Sequence, residues 1–529
     1  MRAVLAFPLW FPFFLTAQEQ PPPPKCTVYG VAVNAITGEP LARVQVFAEG
    51  GKHRPQSTVS GPKGEFSLTN LEPGQYRLKG VRNGYLPTYY GARRFESPGI
   101  ALTLNGGQET KDLQLKLLPF AVIAGTVRDP EGEALAGVSV AVLQMRYQAG
   151  GPRVANSQEV VKTDDLGQFR VAGLAPGRYY VHAGLPLYLE PLASELLVPT
   201  FHPASRDLAG ARRIEVAAGQ RFTGADVTLL RSKAYRVRVQ AEGPPGLGLG
   251  VSLHERPPLG DGISIDPPSE CEKGVCQFTG VPAGSYEVTA SASPKNLRGT
   301  LEELFFNNRD FRASVPVEVT NSDVDGVHVV VSAGAEVTGR ISIAGDDEPA
   351  RFHGMLSFVT PAGEGLPATI AEHGTFSSRL SLGTYQVQTH LGGDLVVRSI
   401  RSETADVMAE GLSVTHAGKL AIEVVMGHDA GKVEGTVLDS EDKPVPGATV
   451  VLIPKIRERH DLFAQSDTDQ NGRFQIQFAA PGDYQLFAWD DVEPFLWYDP
   501  EFLKDVESKG EAVTVHTKGQ EQVRLHVIR

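Results

Sequence analysis

The sequence predicts an all-β protein, a tandem array of about five small antiparallel β-sandwich domains. Three observations predict it. A pattern of glycine, any residue, phenylalanine, followed by glycine, any residue, tyrosine, recurs along the chain and places tyrosines at 76, 179, 286, 385 and 484. The segments that carry it alternate apolar and polar residues, the period of a strand with one face in a core. The 529 residues, with 56 Gly and 38 Pro, are too many for one core and rich in turn formers, which suits many short strands in several domains.

The repeat has three parts. An opening strand begins at Gly125-Thr-Val127 and Gly435-Thr-Val437, with Gly30-Val31 as the first copy, and leads through a turn to Leu135-Ala-Gly137-Val, Val445-Pro-Gly447-Ala or Leu41-Ala-Arg43-Val44. The aromatic pair follows: Phe66 with Tyr76, Phe169 with Tyr179 and Phe474 with Tyr484, ten residues apart each time. Phe278 with Tyr286 and Phe376 with Tyr385 are looser copies. Pro73-Gly74, Pro176-Gly177 and Pro481-Gly482 lie between the members of the pair, so the two strands read as a β-hairpin. A tyrosine there can bury its ring while its hydroxyl finds a backbone carbonyl, as at the corner of immunoglobulin-like sandwiches. The third part is a closing strand such as Leu113-Gln-Leu115-Lys-Leu117 or Val523-Arg-Leu525-His-Val527. These parts divide the chain at 26–118, 119–231, 232–333, 334–428 and 429–529.

Gly125-Thr-Val-Arg-Asp-Pro-Glu-Gly132, Thr163-Asp-Asp-Leu-Gly167-Gln-Phe169 and Leu174-Ala-Pro-Gly177-Arg-Tyr179 resemble the carboxypeptidase regulatory-like domain. The resemblance implies an immunoglobulin-like/transthyretin-like sandwich of the carbohydrate-binding-like fold group. It holds well in the first, second and fifth repeats. The third and fourth share only the aromatic pair and the closing strand, and Val237-Arg-Val239 lacks the opening glycine. By analogy with relatives in which such a domain accompanies a zinc peptidase or an outer-membrane receptor, the resemblance also offers an accessory role beside a separate protein.

The N-terminal end reads as an export signal over residues 1–17: Arg2, the apolar run Ala3–Leu15, then the small residue Ala17. A proline-rich linker, 18–25, follows. No later segment is apolar enough to span a bilayer as a helix. An exported product in the periplasm, envelope or exterior is therefore expected. The formal charge of −12 is mild, and the basic pairs are scattered, so nothing points to nucleic acid. Cys271 and Cys276 flank a tight loop suited to a disulfide, and Cys26 is left over.

The thirteen histidines include none with a glutamate three residues on, the spacing a zinc peptidase of that kind would need, and no nucleophile elbow or phosphate loop occurs. The expectation is no enzyme and no cofactor. Asp467-Thr-Asp469-Gln-Asn471-Gly472 imitates the first half of a calcium loop, but Phe478 stands where the bidentate glutamate belongs, and a turn before the Phe strand explains the run equally. Aromatics gather in the loops after the repeat tyrosines: Tyr89 and Tyr90, Phe201, Phe305, and Trp497 with Tyr498. Either they cap the ends of the sandwiches, or they form a row of platforms for a carbohydrate or protein partner. The leading functional reading is an exported, non-catalytic scaffold or interaction protein, with carbohydrate binding through the aromatic loops as the alternative.

Overall fold

A computed structural model describes residues 24–50, 55–148, 151–185, 195–256, 269–294, 311–345, 354–361, 365–368, 370–371, 373–391, 395–403, 405–457 and 459–529. The expected export signal, residues 1–17, lies outside these residues. In the first domain Cys26–Asn34 lies between Glu65–Leu71 and Glu109–Leu117 in one sheet. Gln45–Gly50 lies between Gln56–Val59 and Gly74–Val81 in the other. The same two-sheet plan recurs around the opening strands Ala121–Arg128, Leu230–Glu242, Ala335–Ile343 and Gly431–Leu438. The chain is thus a tandem array of all-β sandwiches. Each sandwich has its own apolar core, drawn from the inward residues of both sheets. In Glu65–Leu71 the alternation is direct, with Phe66 and Leu68 buried and Glu65 and Ser67 exposed. Each large apolar side chain so buried contributes roughly 1.5–3 kcal/mol.

Every repeat tyrosine does the same work. Tyr76, Tyr179, Tyr286, Tyr385 and Tyr484 are buried, and each hydroxyl donates to the carbonyl four residues back, at 2.8–3.0 Å. The bond fastens the connection that enters the tyrosine strand to the strand itself.

Two expectations about strand pairing are corrected. The Phe and Tyr strands are not a hairpin. Glu65–Leu71 pairs with Cys26–Asn34, whereas Gly74–Val81 pairs with Gln45–Gly50 in the opposite sheet, and the other four domains do likewise. The Pro-Gly joint carries the chain across the sandwich, so Phe and Tyr enter one core from opposite sides. Nor is the first sheet purely antiparallel. The closing strand runs parallel to the opening one in every domain, as Gly30 opposite Leu113 and Gly435 opposite Val523 show. Parallel pairing needs a long crossover, and here the whole domain supplies it.

The parallel ladder explains the opening glycine. Gly30 faces Phe66, and a Cβ there would stand 2.5 Å from the phenyl ring and 2.6 Å from the Leu113 carbonyl. Gly125, Gly339 and Gly435 face Phe169, Phe376 and Phe474 in the same way. The fourth domain therefore keeps the glycine. In the third domain Val239 faces Cys276, and Cys276, not Phe278, stands ten residues before its tyrosine. Phe278 lies one inward step further along the strand, opposite Val237.

The fifth domain packs back against the first. The Gln470 side chain accepts from the Thr103 N–H at 3.0 Å and donates to the Thr103 carbonyl at 3.1 Å. Arg93 pairs with Asp490 and Arg94 with Asp491. The Arg93 guanidinium also donates to the Pro446 carbonyl at 3.3 Å. Arg77 lies 3.5 Å from the Asp467 carboxylate. From the second domain, Tyr147 donates to Asp499 at 3.0 Å.

Candidate ligand-binding cleft between the fourth and fifth domains

In the fifth domain the chain leaves Gly482–Trp489 and returns over the outer face of its sheet through the short turns and helix of 490–509. Asp499 caps the helix Pro500–Val506 by accepting from the Glu501 N–H at 2.9 Å, and Pro500 takes the first helical position. The segment closes a second small core in which Trp489, Trp497, Phe487, Leu503 and Val506 pack together. Trp497 is only 3% exposed and stacks on Trp489, so it caps the sheet and offers no open platform.

Tyr498 has the other fate. It is half-buried, Phe463 stacks on it at 4.5 Å, and His460 meets it edge-on at 5.3 Å. Burial, with the Asp461 charge second, pushes the Tyr498 hydroxyl up to about 12. It stays a neutral donor across physiological pH. Beside it the Arg459 guanidinium grips Asp461 through two bonds of 2.7 and 2.8 Å. That pairing raises the Arg459 pKa further, and both side chains are largely buried.

The facing wall is the second sheet of the fourth domain. In Gly383–Leu391, Tyr385 and Val387 belong to the core while Gln386 and Gln388 point the other way. Ser357 is the cross-strand neighbour of Gln388. Together the walls enclose a cleft of about 920 Å³. An aromatic wall with a clamped ion pair thus faces a wall of amides and hydroxyls.

Among the described residues, the other predicted aromatics do not join this cleft and form no row of platforms. Tyr89 donates to Glu49 at 2.8 Å under the Lys79 ammonium, and Tyr90 packs on the first core. Phe201 is fully buried and stacks on His182 at 4.4 Å, which rules it out as a surface platform. Phe305 lies outside the described residues. The calcium alternative is also corrected by the partners of its carboxylates. Asp469 Oδ1 accepts the N–H groups of Asn471 and Arg473, as Asp164 does for Leu166 and Gln168 in the second domain. Asp467 turns to Arg77 and Thr449. These are turn and interface contacts. Gly472 has a φ of +70°, the conformation the turn requires. Cys271 and Cys276 are bonded as cross-strand neighbours, and Cys26 is buried with its thiol on the Asn105 carbonyl.

Gln386, Gln388, Arg459, Asp461 and Phe463 were not singled out from the sequence. The charged run at 457–461, which interrupts the apolar pattern after Thr449–Pro454, is the signal that could have marked the fifth-domain wall. The two glutamines look like ordinary outward strand positions.

Comparison with known proteins bears on the fold. The model of the carboxypeptidase regulatory-like domain matches residues 27–116, 122–229 and 432–491. Among solved structures the chain is similar to the Bacillus anthracis TIE protein at 12% identity, covering 74% of this chain and 68% of that one, with a TM-score of 0.16. It is also similar to the minor pilin GBS52 of Streptococcus agalactiae at 12% identity, covering 38% and 94%, with a TM-score of 0.22. The major pilin BcpA of Bacillus cereus matches at 10% identity over 77% and 99%, with a TM-score of 0.14. No curated protein matches the sequence.

Proposed function

The first, second and fifth domains belong to the carboxypeptidase regulatory-like family, and on that premise we propose that the chain is an exported, non-catalytic interaction scaffold. The observation that carries this reading is the return of the fifth domain onto the first. A flexible spacer has no use for a clasp between domains that lie four repeats apart. Here Gln470 reads the Thr103 backbone like an added strand, and two arginine–carboxylate pairs flank it. Such a clasp holds the domains at fixed angles, which suits a surface that several partners recognise at once. Export is supported by Arg2 and the Ala3–Leu15 run, and a non-catalytic role by the regulatory-like identity of the matched regions.

Small-angle scattering tests the clasp. The wild-type chain should scatter as a compact particle, and Arg93→Glu/Arg94→Glu should scatter as an elongated one. Identical curves for the two would defeat the reading. Protein recovered from the envelope fraction should begin near Gln18, and an intact Met1 would defeat export. A second reading, carbohydrate binding, is favoured by the cleft between the fourth and fifth domains.

A further inference from the structure

We infer that this cleft binds a neutral saccharide, with the sugar ring against Tyr498 and Phe463 and its hydroxyls on Gln386, Gln388 and Arg457. The volume, about 920 Å³, is that of a small-molecule site, and its mixture of apolar wall and few polar groups is typical of one. Three features narrow the ligand.

The first is the shape of the apolar surface. Phe463 and Tyr498 stack at 4.5 Å and 25°, so each covers one face of the other and the pair borders the cleft with its remaining ring surface. A pyranose has an apolar C–H face that can lie on such a surface, and a rim of hydroxyls that must be matched elsewhere. The second is the facing wall. Gln386 and Gln388 each offer an acceptor and two donor hydrogens, which suits vicinal hydroxyls that both donate and accept. Arg457 adds a donor. Its Nη2 donates to Gln485 at 2.6 Å, and the side chain lines the cleft, where its accessible N–H groups can meet a ligand hydroxyl.

The third feature is charge. Each lining cation has a carboxylate close by: Arg459 grips Asp461, Arg457 lies 3.5 Å from Glu507, and Lys504 lies 3.7 Å from Glu501. An anionic ligand such as a phosphate or a uronate would find no uncommitted cation and would meet the carboxylates of Glu410, Asp461 and Glu507, which also line the cleft. The site disfavours an anion, and a neutral sugar needs no charge partner there.

Trp497 lines the cleft and stacks on Trp489, so intrinsic fluorescence reports its occupancy. The full chain is titrated with neutral oligosaccharides (hexose and N-acetylhexosamine polymers) and with a polyuronate, following emission and heat. At least one neutral series should bind and shift the emission, and the polyuronate should not. Gln388→Ala and Arg457→Gln should each weaken binding tenfold or more while the melting temperature stays put. Failure of every neutral saccharide to bind at millimolar concentration overturns the proposal. So does binding that Gln388→Ala leaves unchanged, or that the polyuronate shares. Arg93→Glu/Arg94→Glu opens the clasp without touching the cleft, so the scaffold reading and this one fail separately.

Discussion

In four domains a glycine of the opening strand faces a phenylalanine across the ladder, whereas in the third Val239 faces Cys276. The two arrangements fill the same space differently. Where the opening residue has no side chain, the phenyl ring can lie over its backbone. Where valine supplies the bulk, the partner shrinks to cysteine. What the two versions share is the tyrosine corner, the crossing between sheets and the parallel closing strand. The fold therefore rests on those three, and the glycine–phenylalanine pair is one of two ways to pack between them.

The largest effect should come from forcing one version's residue into the other. Gly30→Val places a branched side chain against Phe66 and the Leu113 carbonyl, and only one of these can yield. Overpacking of this kind costs about 3 kcal/mol or more when backbone must move. Hydrogen exchange in the strands Cys26–Asn34 and Glu109–Leu117 should accelerate accordingly. Adding Phe66→Cys should recover part of the loss by removing the ring. A single variant with native protection would show that the glycine is incidental.

The pair also shows what was legible in the sequence. Five tyrosines at regular intervals disclosed the repeat, because no other residue joins a buried ring to a hydroxyl that reaches the carbonyl four residues back. The third domain was misaligned because Cys276 does not look like a phenylalanine, and Phe278 nearby does. Pro-Gly between two alternating segments is the same text for a hairpin and for a crossing between sheets. Only pairing with a third strand, dozens of residues away, decides it. In the cleft, Tyr498 was legible as a loop aromatic. Gln388 was not, since its role comes from a neighbouring domain a hundred residues on.

A second contrast sets the second domain apart by pH. His182 is buried beneath Phe201, and burial, with Arg206 second, lowers its pKa to about 4. In the unfolded chain the ring titrates near its ordinary 6.5. Between these values the unfolded state binds a proton that the folded state refuses. Stability is therefore complete above 6.5 and falls as pH drops toward 4, by on the order of 3 kcal/mol. His182→Gln should flatten that dependence in urea unfolding of the second domain. An equal slope in the variant would place the acid sensitivity elsewhere.

Reducing the disulfide sharpens the third-domain comparison. Cys271 and Cys276 close a very short loop, so the entropic contribution is about 2 kcal/mol. Reductant should lower the stability of the third domain alone and leave it folded, because Cys276 still fills its core position as a thiol. Unfolding of the domain on reduction would mean that the valine–cysteine packing cannot stand without the bond.

The smallest effect tests what all five domains share. Replacing Tyr76, Tyr179, Tyr286, Tyr385 or Tyr484 by Phe keeps the ring in its core and removes one hydroxyl. The carbonyl it served, four residues earlier, then loses its partner, at a cost of about 1 kcal/mol. Tyr179 and Tyr484 are pushed up to about 12, and Tyr286 is likewise pushed up, chiefly by burial, so their bonds sit in dry surroundings. Tyr76 and Tyr385 leave the corner slightly more open, at 5% exposure each, and water can replace part of the lost bond. The loss should thus be similar in the third domain and in the family-matched second and fifth, and smaller in the first and fourth. If Tyr286→Phe cost nothing while Tyr484→Phe cost its full share, the corner would belong to the family-matched domains alone. The third domain would then hold its crossing by the disulfide and the Val239–Cys276 packing.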